Sequence, residues 1–226
     1  MAKTPKKAYV CNDCGAEFSR WQGQCSACKA WNTISEVRMV SVQQPSKGDR
    51  FGGYAGETRA KIQTLSEISL QEMPRFSSGF NELDRVLGGG IVPGSAILIG
   101  GHPGAGKSTL LLQVMCGLAQ NMTALYVTGE ESLQQVAMRA NRLGLPPERL
   151  NMLSETSVEQ ICNLADQLKP QIIVIDSIQV MHLADIQSSP GSVAQVRECA
   201  SFLTRYAKTR QVAIIMVGHV TKDGTL

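Results

Sequence analysis

The stretch Gly101-His102-Pro103-Gly104-Ala105-Gly106-Lys107-Ser108, with Thr109 next, decides how this chain is read. Its glycines let the backbone curl until successive N–H groups point inward and cradle phosphate oxygens. Lys107 then supplies a point charge for β- and γ-phosphates, and Ser108 offers a hydroxyl to Mg²⁺. The flanks agree with that reading. Residues 95–99 form a short apolar run that predicts a buried strand. Residues 106–120 place Leu110, Leu111, Val114 and Leu118 at helical spacing. A strand entering such a loop and a helix leaving it is the setting the motif requires, because the helix N-terminus adds its positive dipole end.

Outward from the loop the chain keeps an α/β rhythm. Strands are predicted at 123–127, 172–175 and 212–217, with helices at 133–143, 158–168 and 192–208. The alternation implies a mainly parallel sheet with helices on both faces. Ligands of such sheets bind at the C-terminal ends of the strands. The residues just past those ends are therefore the candidates. Asp176 closes the aliphatic run 172–175 and is placed to hold magnesium through water. Glu130 and Glu131 follow the strand at 123–127, and either acid suits the activation of an attacking water, with Glu130 favoured. The blander reading makes both merely the acidic start of the next helix. His219 ends the last strand as a γ-phosphate sensor or a simple cap. Thr221-Lys222-Asp223-Gly224 misses the N/T-K-x-D guanine motif at its fourth position, so ATP is the expected nucleotide.

The N-terminal region has different chemistry. Cys11-x-x-Cys14 and Cys25-x-x-Cys28 are separated by ten residues. Each pair makes a tight turn presenting two thiolates, and four thiolates give the closed shell of structural Zn²⁺; iron or redox disulfides are the alternatives. So short a unit has little core, so the metal would supply most of its stability. Trp21 and Trp31 are expected to pack over the metal turns rather than to stack on a ligand, the other role open to them. Arg20 and Lys29, with Lys3, Lys6 and Lys7, make the region basic, leaving nucleic-acid contact and protein docking both open. The organisation expected is a zinc module at 1–40, a polar, glycine-rich linker at 41–61 and the nucleotide-binding core at 62–226.

Composition excludes some classes. With 43% apolar and 18% charged residues the chain resembles ordinary soluble domains. No apolar run reaches the roughly 20 residues of a membrane span, so no membrane partner and a cytoplasmic location are expected. The net charge of +3 permits nucleic acid without demanding it, and 5% aromatics suggest no array of base-stacking platforms. Cys116, Cys162 and Cys199 lie on predicted helices and read as small buried hydrophobes.

Together the four-cysteine module, FSSGFNELDRVLGGGIVPGSAILIGGHPGAGKST (76–109), LYVTGEES (125–132) and IVIDSIQV (173–180) resemble bacterial RadA/Sms, the DNA-repair ATPases of the RecA superfamily. The resemblance covers essentially the whole chain. It implies a RecA-like core that hydrolyses ATP with DNA stimulation and assembles as a homo-hexamer on single-stranded or branched DNA. It further implies branch migration of recombination intermediates, and a recombinase or replicative helicase as partner. Residues 184–192 and the segment opening at Thr221 and Lys222 would face DNA. Members of that family continue past the equivalent of Leu226 with more strands, a K-N-R-F-G motif and a Lon-protease-like domain. The matching expectation is a C-terminally truncated core whose own turnover is open. Two other readings stand beside it: a KaiC-like regulatory ATPase acting on proteins, and a nucleotide-gated binding module without turnover.

Overall fold

The computed structural model describes residues 7–38, 64, 66, 74–146 and 148–219. The linker expected at 41–61, the segment at Thr221 and Lys222, and the lysines at 3 and 6 lie outside these residues.

Around the cysteines, β1 (Lys7–Cys11), β2 (Glu17–Phe18) and β3 (Ile34–Arg38) form an antiparallel sheet in the order β2-β1-β3. The first cysteine pair turns the chain from β1 into β2, with the Gly15 N–H donating to Cys11 O at 2.8 Å. The second pair repeats the device, the Lys29 N–H donating to Cys25 O at 2.8 Å. Cys11, Cys25 and Ile34 are buried there, with Tyr9, Ala16 and Phe18 packed against them.

The larger body begins with α1 (Asn81–Val86), whose approach is tied down by Asp84: its carboxylate accepts from the Ser77 hydroxyl at 2.5 Å and the Ser78 N–H at 2.8 Å. Then come β4 (Ala96–Gly101), α2 (Lys107–Leu118), β5 (Ala124–Thr128), α3 (Leu133–Arg142) and β6 (Asn151–Ser154). After these follow α4 (Val158–Leu168), β7 (Ile172–Asp176), a 3-10 turn at Ile178–Val180, α5 (Val193–Arg210) and β8 (Ala213–His219). The five strands are parallel, in the order β4-β8-β7-β5-β6. Strand side chains alternate between faces. Tyr126, Val174 and Ile215 meet α2 and α3 on one side, while Val127, Ile175 and Ile214 meet α4 and α5 on the other. Ser132, Ser157 and Ser192 each cap a helix, accepting from the backbone N–H three residues on.

The expected α/β class and parallel sheet are found. In the larger body one strand and one α-helix escaped the sequence reading: β6, whose Asn-Met-Leu-Ser is too short and half-polar to alternate, and α1, which buries no residue. Helix α2 is also less one-sided than expected, since Leu112, Met115 and Cys116 are buried along with Leu111 and Val114. It is an inner helix, so its apolar residues run round it. Cys116, Cys162 and Cys199 are buried, and burial raises all three thiols, the latter two to about 12. No helix among the described residues is long and apolar enough to cross a membrane.

Candidate active site and metal centre

Every candidate nucleotide-site side chain sits at the C-terminal edge of the parallel sheet. Gly101 ends β4 directly beside His219 on β8, and Thr128 ends β5 beside Asp176 on β7. Between β4 and α2 the loop is closed by the Ala105 N–H donating to His102 O at 3.2 Å. Gly106 caps α2 at φ 86, a left-handed conformation that side chains resist. The Lys107 ammonium curls back over this loop, donating to Gly101 O at 2.6 Å and His102 O at 2.9 Å. Its stem is buried, so the charge is held at the loop rather than dispersed into water. Ser108 and Thr109 follow on the first turn of α2.

Asp176 is 9% exposed, and its Oδ2 accepts from the Tyr126 hydroxyl at 2.5 Å. Burial first, and then the charge of Asp176, keep that phenol protonated far above its ordinary range, so it remains a donor. Glu130 joins three strand tips. Its Oε1 accepts from the Ser177 hydroxyl, just past β7, and lies 3.4 Å from His219 Nε2 at the end of β8. Glu131 points elsewhere, gripped through both carboxylate oxygens by Arg139 of α3. Thr128 makes the divergence possible, because its hydroxyl bonds both the N–H and the C=O of Glu131 and fixes the turn. Gly129, between them, admits no side chain: a Cβ there would stand 2.5 Å from Val180 Cγ2. Gln179 completes the edge by donating to His219 O at 3.1 Å.

Sequence reasoning passed over Tyr126, Ser177, Arg139 and Gln179. Only Tyr126 carried a signal, as a phenol in an otherwise apolar strand that must find a partner once buried. The loop at 184–192 is shaped from inside by Gln195, which is 2% exposed. Its amide accepts from Leu183 N–H at 3.0 Å and donates to Leu183 O, Ile186 O and Ser188 O at 3.3, 2.9 and 3.0 Å.

At the other end of the chain, the Sγ atoms of Cys11, Cys14, Cys25 and Cys28 all lie within 4.8 Å of one another. Cys11 and Cys28 are 3.7 Å apart, and Cys14 and Cys25 3.5 Å. Four thiolates at ~2.3 Å from one tetrahedral ion would stand ~3.8 Å apart, so the cluster fits zinc. Burial raises the Cys11 thiol, but hydrogen bonds from Thr33 and the backbone N–H groups of Cys14 and Asp13 outweigh it and bring it to about 6. Cys14 goes the other way: the Ala16 N–H lowers it, but burial and the neighbouring thiols of Cys28, Cys25 and Cys11 raise it to about 12. The indoles do not cover this centre as the sequence reading expected: Trp21 is 58% exposed and Trp31 69%. The small interior of Cys11, Cys25 and Ile34 is covered by Tyr9, Ala16 and Phe18 instead.

Comparison with known proteins agrees with both parts. Residues 9–36 match the family described as the rubredoxin metal binding domain, and residues 60–225 match the AAA domain family. Over its whole length the chain is 91% identical to the DNA repair protein RadA of Haemophilus influenzae. It is 71% identical to that of Escherichia coli K12 and 44% to that of Bacillus subtilis 168. In each comparison all of this chain aligns with 49% of the relative, so it spans about half the length of the curated relatives it matches. The resemblance to RadA drawn from the motifs thus extends across every residue, and the chain belongs to the AAA domain family, carrying a zinc-ribbon module ahead of that domain.

Proposed function

We propose that this chain is the zinc module and motor core of a DNA-dependent ATPase of recombinational repair, which binds single-stranded DNA and promotes branch migration. The observation that carries the reading is the convergence of Lys107, Asp176 and Glu130 on one sheet edge, with Glu130 tied to the residue after Asp176. The names of the RadA relatives support the repair assignment.

The backbone N–H groups of residues 101–108 receive the β- and γ-phosphates of ATP, and Lys107 exchanges its two carbonyl partners for phosphate oxygens. Ser108 and Asp176 present the hard oxygen donors that suit Mg²⁺. That ion neutralises charge on the phosphates when bound. Glu130 orients and deprotonates the attacking water. Ser177 and His219 position its carboxylate, and His219 thereby places β8 in contact with events at the γ-phosphate. Glu131 is structural, because Arg139 occupies both its oxygens. Cys11, Cys14, Cys25 and Cys28 hold Zn²⁺ as a folding element. The loop at 184–192 contacts DNA through backbone and hydroxyl groups. Acting in the cytoplasm as part of a hexameric ring, the motor would serve a recombinase or a replicative helicase.

The test is ATP turnover with and without poly(dT), with Lys107→Ala as blank. DNA-stimulated turnover absent from the blank is expected. ATP binding without turnover would instead support a nucleotide-gated binding module, and turnover indifferent to DNA a regulator acting on proteins.

A further inference from the structure

The zinc ribbon carries an exposed pair of indoles that its own fold barely uses. Trp21 donates its Nε1–H to Ile34 O at 3.2 Å and is otherwise largely in solvent. The two rings converge on Gly23: a Cβ there would lie 3.8 Å from Trp21 Cη2 and 3.9 Å from Trp31 Cζ3. Trp31 is held outward by its backbone. It forms a bridge with Gln24, the Asn32 N–H donates to Gly23 O at 2.7 Å, and the Gln24 side chain donates to Lys29 O at 2.9 Å.

Lys29 and Asn32, on either side of Trp31, adopt φ of 64 and 55. In the first cysteine turn the position equivalent to Lys29 is Gly15, at φ 72. A lysine thus stands where glycine serves without strain, and strain of that kind tends to mark function. Arg20 directly precedes Trp21 and Lys29 stands two residues before Trp31, and both cations are exposed.

We infer that Trp21 and Trp31, with the exposed cations Arg20 and Lys29 close by in sequence, form a base-stacking platform for single-stranded DNA. This rests on the DNA-dependent reading above and adds a contact surface outside the ATPase core. Two exposed indoles and two exposed cations within residues 20–31 match the pairing of stacked bases with backbone phosphates. The residues next to the indoles, Gln22 and Asn32, are polar and suit a surface that meets bases and phosphates.

The chain has two tryptophans, both in this pair, so intrinsic emission reads the platform directly. Titration with poly(dT) at low salt is expected to quench that emission with saturation. Trp31→Ala should weaken binding of labelled poly(dT) by roughly five- to a hundredfold. Lys29→Gly should keep the ribbon folded and lower the slope of log affinity against log salt by roughly 0.7. Zinc content equal to the parent's confirms that each variant has kept its fold. Emission unchanged while labelled poly(dT) binds overturns the platform, leaves the motor reading intact and points the indoles to a protein partner. Quenching without stimulated turnover supports the platform and sinks the motor reading. Absence of any poly(dT) binding overturns both.

Discussion

Glu130 and Glu131 have identical side chains and successive positions, yet the fold divides them. One carboxylate lies between Ser177 and His219 at the strand tips, and the other is closed off by Arg139. Substitution should therefore give opposite results. Glu130→Gln is expected to retain ATP while turnover falls by roughly 10²–10⁴-fold, since proton transfer to a positioned base is removed. Glu131→Gln should leave turnover within a few-fold of the parent and lower stability by roughly 1–3 kcal/mol, because Arg139 is mostly buried and loses its charged acceptor. Single-turnover kinetics beside thermal unfolding of both variants would check this. Equal losses of turnover in the two would sink the assignment. No spacing rule separates these acids in the sequence. The choice is made by Thr128, whose hydroxyl bonds belong to the folded turn, and by an arginine eight residues away on another element.

Among the elements, the close approach of the β5 tip to the 3-10 turn after β7 matters most. Gly129 allows it, with Val180 Cγ2, Met181 Cε and Thr156 Cγ2 within 3.1 Å of where a Cβ would be. Gly129→Ala is expected to overpack this junction and lower stability by roughly 1–3 kcal/mol. It should also displace Glu130 from Ser177, so turnover would drop more than ATP affinity. Unfolding curves and binding titrations on one sample separate the two effects. Elements such as β7 and α5 were legible because long aliphatic runs and helical spacing report burial directly. Strand β6 was not, since four residues paired only to β5 show no period. The indoles were misread for a related reason: aromatic residues near a metal turn suggest a lid, but among the described residues the ribbon's buried cluster is Cys11, Cys25 and Ile34, covered by Tyr9 and Phe18. The strand-end rule pointed to Asp176 and His219, which do end β7 and β8 at the same sheet edge. The partners that hold such residues, Tyr126 and Ser177, emerge only from the register of β5 against β7.

At the scale of the whole molecule, the two bodies have separate interiors. Among the described residues, the ribbon's buried cluster consists of residues 11, 25 and 34, while the sheet's two clusters and the side chains packed against them come from residue 76 onward. Chelation of zinc, or Cys28→Ser, is therefore expected to unfold residues 7–38 and leave ATP binding unchanged. Hydrogen exchange would check it: loss of protection spreading into β4 or β7 would contradict the separation. The order β4-β8-β7-β5-β6 also sets a schedule for synthesis. Among the described residues, the strand that carries the phosphate loop pairs with β8 alone, and β8 is the last strand described. A nascent chain emerging from the ribosome has made Lys107 long before β4 has a neighbour to bond, and β5, β6 and β7 can associate without it. The nucleotide loop is thus anchored late in translation, so a ribosome stalled short of residue 213 would hold a half-sheet unable to grip ATP.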